Sequence, residues 1–373
     1  MRKLCIILIT LHGLIHLIGF IQTFKITDFK MLNHPISKVI GIMWLLGVLL
    51  FILVSVMYIL KSEFWWLAGF IAIFISQILI ILFWQEAKLG IIPNIIILLA
   101  CIVACSNFYF NQKVNEELSQ LFIEAKYAAS PSRNIQELPL PVQRWYNSSG
   151  FLSSENEIIK NVYLKQEVLM KTKPQQEIWY KGHAVQYFNI QQPAFNWSVA
   201  LDMNPLIKVV GRDKFENGKG EMLIKLYSIF PVVNVKDNDK INQAALQRYL
   251  AEIVWFPAAA LSRYITWESI DNYSARATMT FNGTTGSGIF YFNENWEFVR
   301  FSAMRYKDTD ENAQLKEWIA EVIESKVING IKIPVEMKVT WKLKDTEWTW
   351  LKLKISEIQY NVEEMPVANI LYK

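Results

Sequence analysis

The chain has 373 residues, of which 52% are hydrophobic and 19% are charged, and its formal net charge is +4. The first 111 residues hold seven basic and three acidic residues, which account for that whole excess, so the rest of the chain is electrically balanced. A balanced chain lacks the basic surface on which nucleic-acid binding depends, and we expect no nucleic-acid partner.

Four apolar segments fill the first 110 residues and are separated by short stretches that carry charges. They cover residues 4–24, 39–60, 64–84 and 91–110. At about 1.5 Å per helical residue, each segment can cross a hydrocarbon core of roughly 30 Å. The sequence therefore predicts a multi-pass protein of the cell membrane in which residues 1–110 form four transmembrane helices.

Charges beside the first segment bear on which side of the membrane carries the rest of the chain. Arg2 and Lys3 favour a cytoplasmic N terminus, and an even number of spans then places the C-terminal region in the cytoplasm as well. Lys25, Lys30 and Lys38 lie in the first loop and favour the opposite orientation. The two placements differ by about one or two positive charges, which leaves a slight preference for the cytoplasm.

Two histidines, His12 and His16, are four residues apart in the first segment and therefore share a helical face. Polar groups inside a bilayer are costly and often functional. One interpretation is a metal, quinone or proton site. The other, which we favour, is a helix–helix seam in which Gly19 allows close approach and the imidazoles bond to a neighbouring helix. The candidate partners in the other segments are Ser76, Gln77 and Asn94.

All three cysteines, Cys5, Cys101 and Cys105, lie in the apolar segments. The remainder of the chain can therefore form neither disulfides nor cysteine-ligated zinc sites. The loop Gly218-Lys219-Gly220 lacks the Ser or Thr that follows lysine in a phosphate loop. His183 is the single histidine after residue 34, too few for a convincing Ser-His-Asp set. We expect no metal and no cofactor, and we assign no catalytic residue.

Residues 111–140 form a linker with an amphipathic pattern, which predicts a short helix that extends the fourth segment. Ser130-Pro131-Ser132 then breaks this helix, and Leu138–Pro141 opens a folded domain. The apolar positions of the helix are Val114, Leu118, Leu121, Phe122 and Ala125.

Residues 141–373 show the alternation of apolar and polar residues that half-buried strands require. Val162–Met170 and Val335–Leu343 have this period of two. Asn217-Gly218 and Asn282-Gly283 are turn signals between successive strands. The fold class is therefore a membrane α region followed by an α+β extramembrane domain. Its sheet is mostly antiparallel and strongly curved, a partial barrel with one or two helices.

One helix interrupts the predicted strands, with Asp239 as a candidate N-cap and Pro257 after its end. The apolar run Trp255–Leu261 follows and must be core, cavity lining or a lipid contact. We favour the cavity, because ten tryptophans in this domain suit an aromatic concave face. A second region, Trp318–Ile323, fits a helix on its period alone.

Several stretches resemble a family of uncharacterised bacterial multi-pass membrane proteins of unknown function, with four N-terminal spans and a C-terminal β domain. The segment Asn329–Pro334 and the strands after it also resemble the end of Lol-type lipoprotein-carrier half-barrels, weakly. That likeness implies a strand at Trp318–Ile323, and we adopt it. The stretches that carry the family resemblance are Gly13–Phe20, Ala87–Gly90, Val209–Phe215, Asn217–Gly220, Gln247–Glu252 and Trp255–Leu261.

Three functional hypotheses follow. The first is a membrane-anchored binding or carrier module for a lipid or other apolar ligand, with membrane lipids as partners. The second is an enzyme on a membrane-associated substrate that uses Arg212, Asp213 and Glu252. The third is a sensor or assembly subunit, with a partner or a second copy bound through the four spans. The candidate ligand-binding residues are Arg212, Asp213, Glu252, Trp255, Phe256 and Arg276.

Arg212 and Asp213 lie just before the Asn217-Gly218 turn, at the end of a predicted strand. We predict that they pair with groups on the helix at Tyr249–Trp255, because paired charges at a strand end often anchor an amphipathic helix. The alternative is two solvated turn charges.

Overall fold

The computed structural model describes residues 2–26, 36–127, 133–151, 159–205, 207–344 and 346–365. Two compact units make up the chain, residues 1–110 and the residues from 111 onward. The predicted break at Ser130-Pro131-Ser132 lies outside the described residues.

Apolar helices form the first unit, and the last of them continues into the second. They are α1 (Arg2–Ile15), α2 (Leu17–Thr23), α3 (Lys38–Ile59), α4 (Trp65–Leu82), the single turn α5 (Trp84–Ala87) and α6 (Ile91–Tyr127). Within the described residues, four helical stretches are long and apolar enough to cross a membrane. The predicted segments are thus confirmed as helices, and the chain is compatible with a multi-pass membrane protein. The predicted extension of the fourth segment is confirmed as the end of α6.

Glycines allow α3 to pack closely against the first two helices. A Cβ added to Gly19 would lie 2.3 Å from the ring of Trp44, and one added to Gly41 would lie 2.4 Å from Cγ2 of Thr23. Neither position has room for a side chain. Gly19 therefore serves the close helix approach that the sequence indicates.

The second unit is built on one antiparallel sheet of 13 strands in the described residues. The strands are β1 (Asn161–Met170), β2 (Tyr180–Asn189), β3 (Ala194–Asp202), β4 (Lys208–Glu216), β5 (Lys219–Leu226), β6 (Phe230–Val235), β7 (Ile265–Asp271), β8 (Ser274–Phe281), β9 (Thr284–Phe292), β10 (Phe298–Tyr306), β11 (Leu315–Ile328), β12 (Ile331–Lys342) and β13 (Glu347–Tyr360). Two helices accompany them, α7 (Leu140–Ser148) and α8 (Asp239–Glu252).

The sheet consists of two meanders joined where β1 pairs with β13. Its order is β6-β5-β4-β3-β2-β1-β13-β12-β11-β10-β9-β8-β7, so β6 and β7 are its two edges. The sheet curls into a half-barrel, as the sequence predicts. At one end of the sheet the β4–β5 and β8–β9 hairpins meet: Thr284 Oγ1 donates to the carbonyl oxygen of Gly218 at 2.6 Å.

Tight turns fix the register of the hairpins. Asn217 and Gly218 have φ of 52° and 78°, and Asn282 and Gly283 have φ of 46° and 83°. Two consecutive positive φ angles define the type I′ turn, whose twist matches that of the strands it joins. Both predicted turns are confirmed.

The connection between β6 and β7 crosses the concave face from one edge of the sheet to the other. We call Asp239–Leu261 the crossover segment. It contains α8, a 3₁₀ turn at Ile253–Trp255 and a second at Pro257–Leu261. The half-barrel is therefore filled by a continuous piece of chain in addition to the side chains of its own strands.

The end of α6 packs on the opposite face of β2, β3 and β4. Phe122 contacts Tyr187, with 6.3 Å between ring centroids. Asn196 Nδ2 donates to Glu117 at 2.8 Å. These strands are thus covered on both faces, by the crossover segment on one and by α6 on the other.

Two local expectations need correction. Trp318–Ile323 belongs to β11, so the helix suggested by its period is wrong and the strand implied by the resemblance is confirmed. Trp318 pairs with Ala303 on one side and Trp341 on the other, and this two-sided pairing overrides the local period. The N-cap of α8 is Asn238, whose side chain accepts from the backbone amides of Lys240 and Ile241.

Candidate functional site

Helix α8 is buried almost all round, yet polar side chains hold it to the sheet. Asn242 accepts from the backbone amide of Gly220 at 2.8 Å. Gln247 Nε2 donates to the carbonyl oxygens of Ser287 at 3.0 Å and Met304 at 2.9 Å. A core helix is ordinarily held by apolar contacts, so these polar contacts set α8 apart.

Arg248 is the centre of the contacts between α8 and the sheet. Its Nη1 lies 2.8 Å from Asp213 Oδ2, and its Nε lies 2.9 Å from Glu252 Oε1. Its guanidinium carbon lies 4.6 Å from the ring centroid of Trp197 and 5.0 Å from that of Phe195. Two carboxylates and two aromatic faces therefore surround one cation whose side chain is only 12% exposed.

Hydrogen bonds extend this cluster across the sheet. Gln186 Nε2 donates to Glu252 at 2.8 Å, and Gln166 Nε2 donates to Gln186 at 3.1 Å. Trp197 Nε1 completes the chain by donating to Gln166 at 2.8 Å. A continuous polar line of this kind fixes the position of each member, because each side chain orients the next.

A second buried cation, Arg305 on β10, balances the charge of the cluster. Its Nε donates to the carbonyl oxygen of Ala244 at 3.0 Å, and its guanidinium lies over Trp318 at 4.7 Å. Burial raises the pKa of Asp213 and of Glu252, and the nearby guanidinium groups oppose that rise. The concave face thus holds two cations and two carboxylates inside an otherwise apolar core.

The structure separates the residues proposed for an enzyme. Asp213 does pair with the helix, as predicted, although its partner Arg248 lies one residue before the expected range. Arg212 projects to the other face of β4, where it lies 3.2 Å from Glu117 and 3.0 Å from Glu221. Its predicted pairing with the helix is wrong.

Arg276 also lies apart from the cluster. It is an exposed residue on β8, in register with Glu268 of β7. Because alternate residues of a strand point to opposite faces, the buried neighbours Ala275 and Ala277 face the core and Arg276 faces outward.

Trp255 and Phe256 are core residues in this conformation, with exposures of 1% and 0%. Trp255 Nε1 donates to the carbonyl oxygen of Pro334 at 3.0 Å, and Phe256 packs on Phe188 with 4.7 Å between ring centroids. A cavity beside them, lined in part by Val254, has a volume of about 10 Å³, enough for one water molecule at most. The structure thus places Trp255 and Phe256 in the core, the alternative to the preferred interpretation of this run as a cavity lining.

In the first unit, the two histidines bind the partners that the sequence indicates. His12 Nε2 lies 2.8 Å from Asn94 Oδ1 and 3.3 Å from Ser76 Oγ. His16 Nε2 lies 3.0 Å from the same Ser76 hydroxyl, and Asn94 donates to Gln77 at 3.2 Å. The cluster joins α1, α4 and α6, as a polar seam between helices does.

A break between α1 and α2 fixes the ring orientation of His16. Its backbone amide bonds to Gly13 at 3.1 Å, three residues back, which frees the carbonyl oxygen of His12. The Nδ1 of His16 lies 2.9 Å from that oxygen and can only donate to it. Its Nε2 is then the acceptor for the Ser76 hydroxyl, and Nε2–H of His12 is the donor to Asn94 Oδ1.

Sequence reasoning missed Arg248, Arg305, Gln166 and Gln186. A weak signal exists for Arg248, since Arg248 and Glu252 form an i, i+4 pair in a helix whose remaining residues from Ala244 onward are mostly apolar. Among the described residues, no group of three or more His, Cys, Asp or Glu side chains is placed to hold a metal ion.

A family model described as a family of unknown function, DUF6920, matches residues 136–360. The chain belongs to this family. The resemblance to a family without known function is thus confirmed, and DUF6920 membership assigns no activity. No curated protein matches the chain.

Solved structures offer weak likenesses to this DUF6920 protein. One is a LolA-superfamily protein from Nitrosomonas europaea, 11% identical, with a TM-score of 0.33 and coverage of 60% of this chain and 94% of that one. Another is a β-barrel-like protein of unknown function from Brucella abortus, 10% identical, with a TM-score of 0.26 and coverage of 54% and 98%. The expected weak likeness to Lol-type half-barrels is confirmed at this level.

Proposed function

We propose that the protein is a membrane-anchored binding module for an amphiphilic ligand, and that this conformation is its closed state. The observation that supports the proposal is the composition of the crossover segment. Its α8 portion meets the sheet through a polar cluster, Asn242, Gln247, Arg248 and Glu252, as well as through apolar side chains such as Leu246 and Leu250, and its following turns, Ile253–Leu261, meet the sheet through apolar side chains. The half-barrel is thus filled by a piece of chain whose apolar contacts run its whole length and whose polar contacts are concentrated on α8.

An amphiphile can replace such a segment contact for contact. Breaking the hydrogen bonds between α8 and the sheet costs little net free energy, because water or a polar headgroup forms equivalent bonds with the exposed sheet. The apolar contacts of Ile253–Leu261 are replaced by those of an acyl chain, so that little apolar surface meets water in the open state. The segment can therefore leave the concave face when a ligand enters, although the empty open state is a minor one.

The first test is photo-crosslinking of the full chain in nanodiscs that contain a lipid with a diazirine on its acyl chain. We expect crosslinked peptides from β1, β2 and β3, because Phe188 of β2 and Trp197 of β3 contact the crossover segment and β1 is the next strand of the sheet. Gln247→Ala removes two bonds that hold α8 and should increase the yield. Gln143→Ala is the matched control, because Gln143 also donates to two backbone carbonyls, those of Gln136 and Leu138, outside the crossover segment.

Crosslinks confined to residues 2–127, in the wild type and in Gln247→Ala alike, would overturn the proposal. Such a result would favour the second candidate function, a sensor or assembly subunit. The burial of the crossover segment against the sheet, with Trp255 and Phe256 at 1% and 0% exposure, is the observation that favours it.

A further inference from the structure

We infer that the ligand carries an organic ammonium group, which binds in the place that the Arg248 guanidinium takes in the closed state. The inference rests on the proposed function and names the class of its ligand. We call Phe195, Trp197 and Asp213 the cation box. All three lie on the concave face of β3 and β4, and Trp197 is directly opposite Asp213 in the strand register.

The cation box belongs to the sheet, whereas its occupant belongs to the crossover segment. Arg248 bonds to Asp213 at 2.8 Å and lies over both rings, at 4.6 and 5.0 Å. When the segment leaves, Arg248 and Glu252 leave together, because both are on α8. The sheet then presents one carboxylate between two aromatic faces, and the place that the Arg248 guanidinium held is open.

The chemistry of the cation box selects cations over anions. Aromatic ring faces attract cations and repel anions, and a partly buried carboxylate does the same more strongly. Methylated or primary ammonium groups fit this combination, as they do in other aromatic cages. Arg248 is thus a built-in competitor of the ligand headgroup.

A cation remains on the sheet to meet a phosphate. Arg305 is on β10 and stays when α8 leaves, which frees the guanidinium from its bond to Ala244. The α8 residues that Arg305 and Asp213 contact, Ala244 and Arg248, are one helical turn apart, so the two groups lie near each other. An ammonium at Asp213 and a phosphate at Arg305 together describe a zwitterionic headgroup.

The direct test empties the cation box in the full chain. We expect Arg248→Ala to lower the melting temperature, and tetramethylammonium chloride to raise it again by about 2–4 °C relative to sodium chloride of equal ionic strength. Arg212→Ala is the matched control, a buried arginine that also pairs with two carboxylates, Glu117 and Glu221, but on the opposite face of β4. Arg248→Ala combined with Asp213→Asn is the second control.

If tetramethylammonium chloride does not raise the melting temperature of Arg248→Ala, or raises that of both controls equally, the inference is overturned. Should Arg248→Ala fail to fold, the wild type supplies the test. Diazirine lipids with ethanolamine and glycerol headgroups are compared, and we expect about fivefold more crosslinking of β1–β3 with the ammonium-bearing lipid. Equal yields refute the ammonium headgroup but leave the binding module standing. Absence of crosslinks in β1–β3 refutes the binding module itself.

A free amine and a lipid offer the same ammonium, and soluble phosphoethanolamine separates them. Competition by this compound at a concentration comparable to the lipid identifies a free ligand. Crosslinking that resists it identifies the lipid headgroup, because the acyl chain then adds to the affinity.

Discussion

Trp255 shows how a single side chain holds the crossover segment in the closed state. It is fully buried, and Tyr360 donates its hydroxyl to the Trp255 carbonyl oxygen at 2.8 Å while the indole donates to Pro334. These bonds tie the segment to β12 and β13 at the centre of the sheet.

Trp255→Ala should lower the free energy of unfolding by about 3–5 kcal/mol, because it removes a fully buried aromatic side chain. Chemical denaturation of the full chain measures the change. Ile178→Ala is the control, since Ile178 is 72% exposed and its truncation should change stability by about 0.5 kcal/mol or less. A loss below about 1 kcal/mol for Trp255→Ala would show that the site is not packed as described.

Glu252 gives a prediction for pH. Burial raises the pKa of its carboxyl above the ordinary value of about 4.3, so the folded state binds a proton more tightly than the unfolded state. Its favourable contribution is complete below the ordinary pKa and is lost as the pH rises through the raised one. Relative to Glu252→Gln, which does not titrate, the wild type should lose stability between about pH 4 and neutrality.

The comparison requires unfolding curves of both proteins across that pH range. A wild type that gains stability relative to Glu252→Gln as the pH rises would mean that Arg248 outweighs burial, and that the pKa is lowered.

Helices α1, α4 and α6 meet at the histidine cluster, where the Ser76 hydroxyl bridges the imidazoles of His12 and His16. Ser76→Ala should destabilise the first unit by about 1 kcal/mol, because the buried imidazoles of His12 and His16 each lose a hydrogen-bond partner. Thermal unfolding of the full chain in detergent measures the loss. Ser55→Ala is the matched control, because Ser55 is also buried but receives one bond, from Thr10. Equal losses would contradict the bridging role.

Elements with a clear period could be predicted, whereas those defined by neighbours could not. Val335–Leu343 alternates because one face of β12 is buried, and Asn217-Gly218 specifies its turn by local backbone geometry. Trp318 has strand neighbours on both sides, which local sequence does not reveal. The local period of Trp318–Ile323 therefore suggested a helix, although pairing with both neighbouring strands makes it a strand.

The candidate site was predictable only in part. Asp213 could be assigned to the helix interface because it lies near the end of a strand, shortly before a tight turn. Arg248 has the spacing of an ordinary exposed ion pair with Glu252, and only the order of β3 and β4 places it between Trp197 and Phe195. Convergence of this kind depends on tertiary structure.

At the scale of the whole molecule, the second unit should fold without the first. We predict that fragments starting at Asn111 and at Glu137 are both soluble and have circular dichroism spectra dominated by β-structure. The shorter fragment should be less stable, because it lacks Glu117 and leaves Arg212, 2% exposed, without that partner. A helix-dominated spectrum, or equal stability of the two fragments, would contradict this description.

The central claim is that the crossover segment can leave the sheet while the sheet stays folded. Native-state hydrogen exchange of the full chain in nanodiscs tests it most directly, by comparing amides of α8 with amides of β12. We predict that the α8 amides exchange through an opening of lower free energy and weaker denaturant dependence than those of β12, and that a zwitterionic amphiphile changes only the former. Identical opening free energies and denaturant dependences in α8 and β12 would contradict the account, because α8 would then be released only by global unfolding.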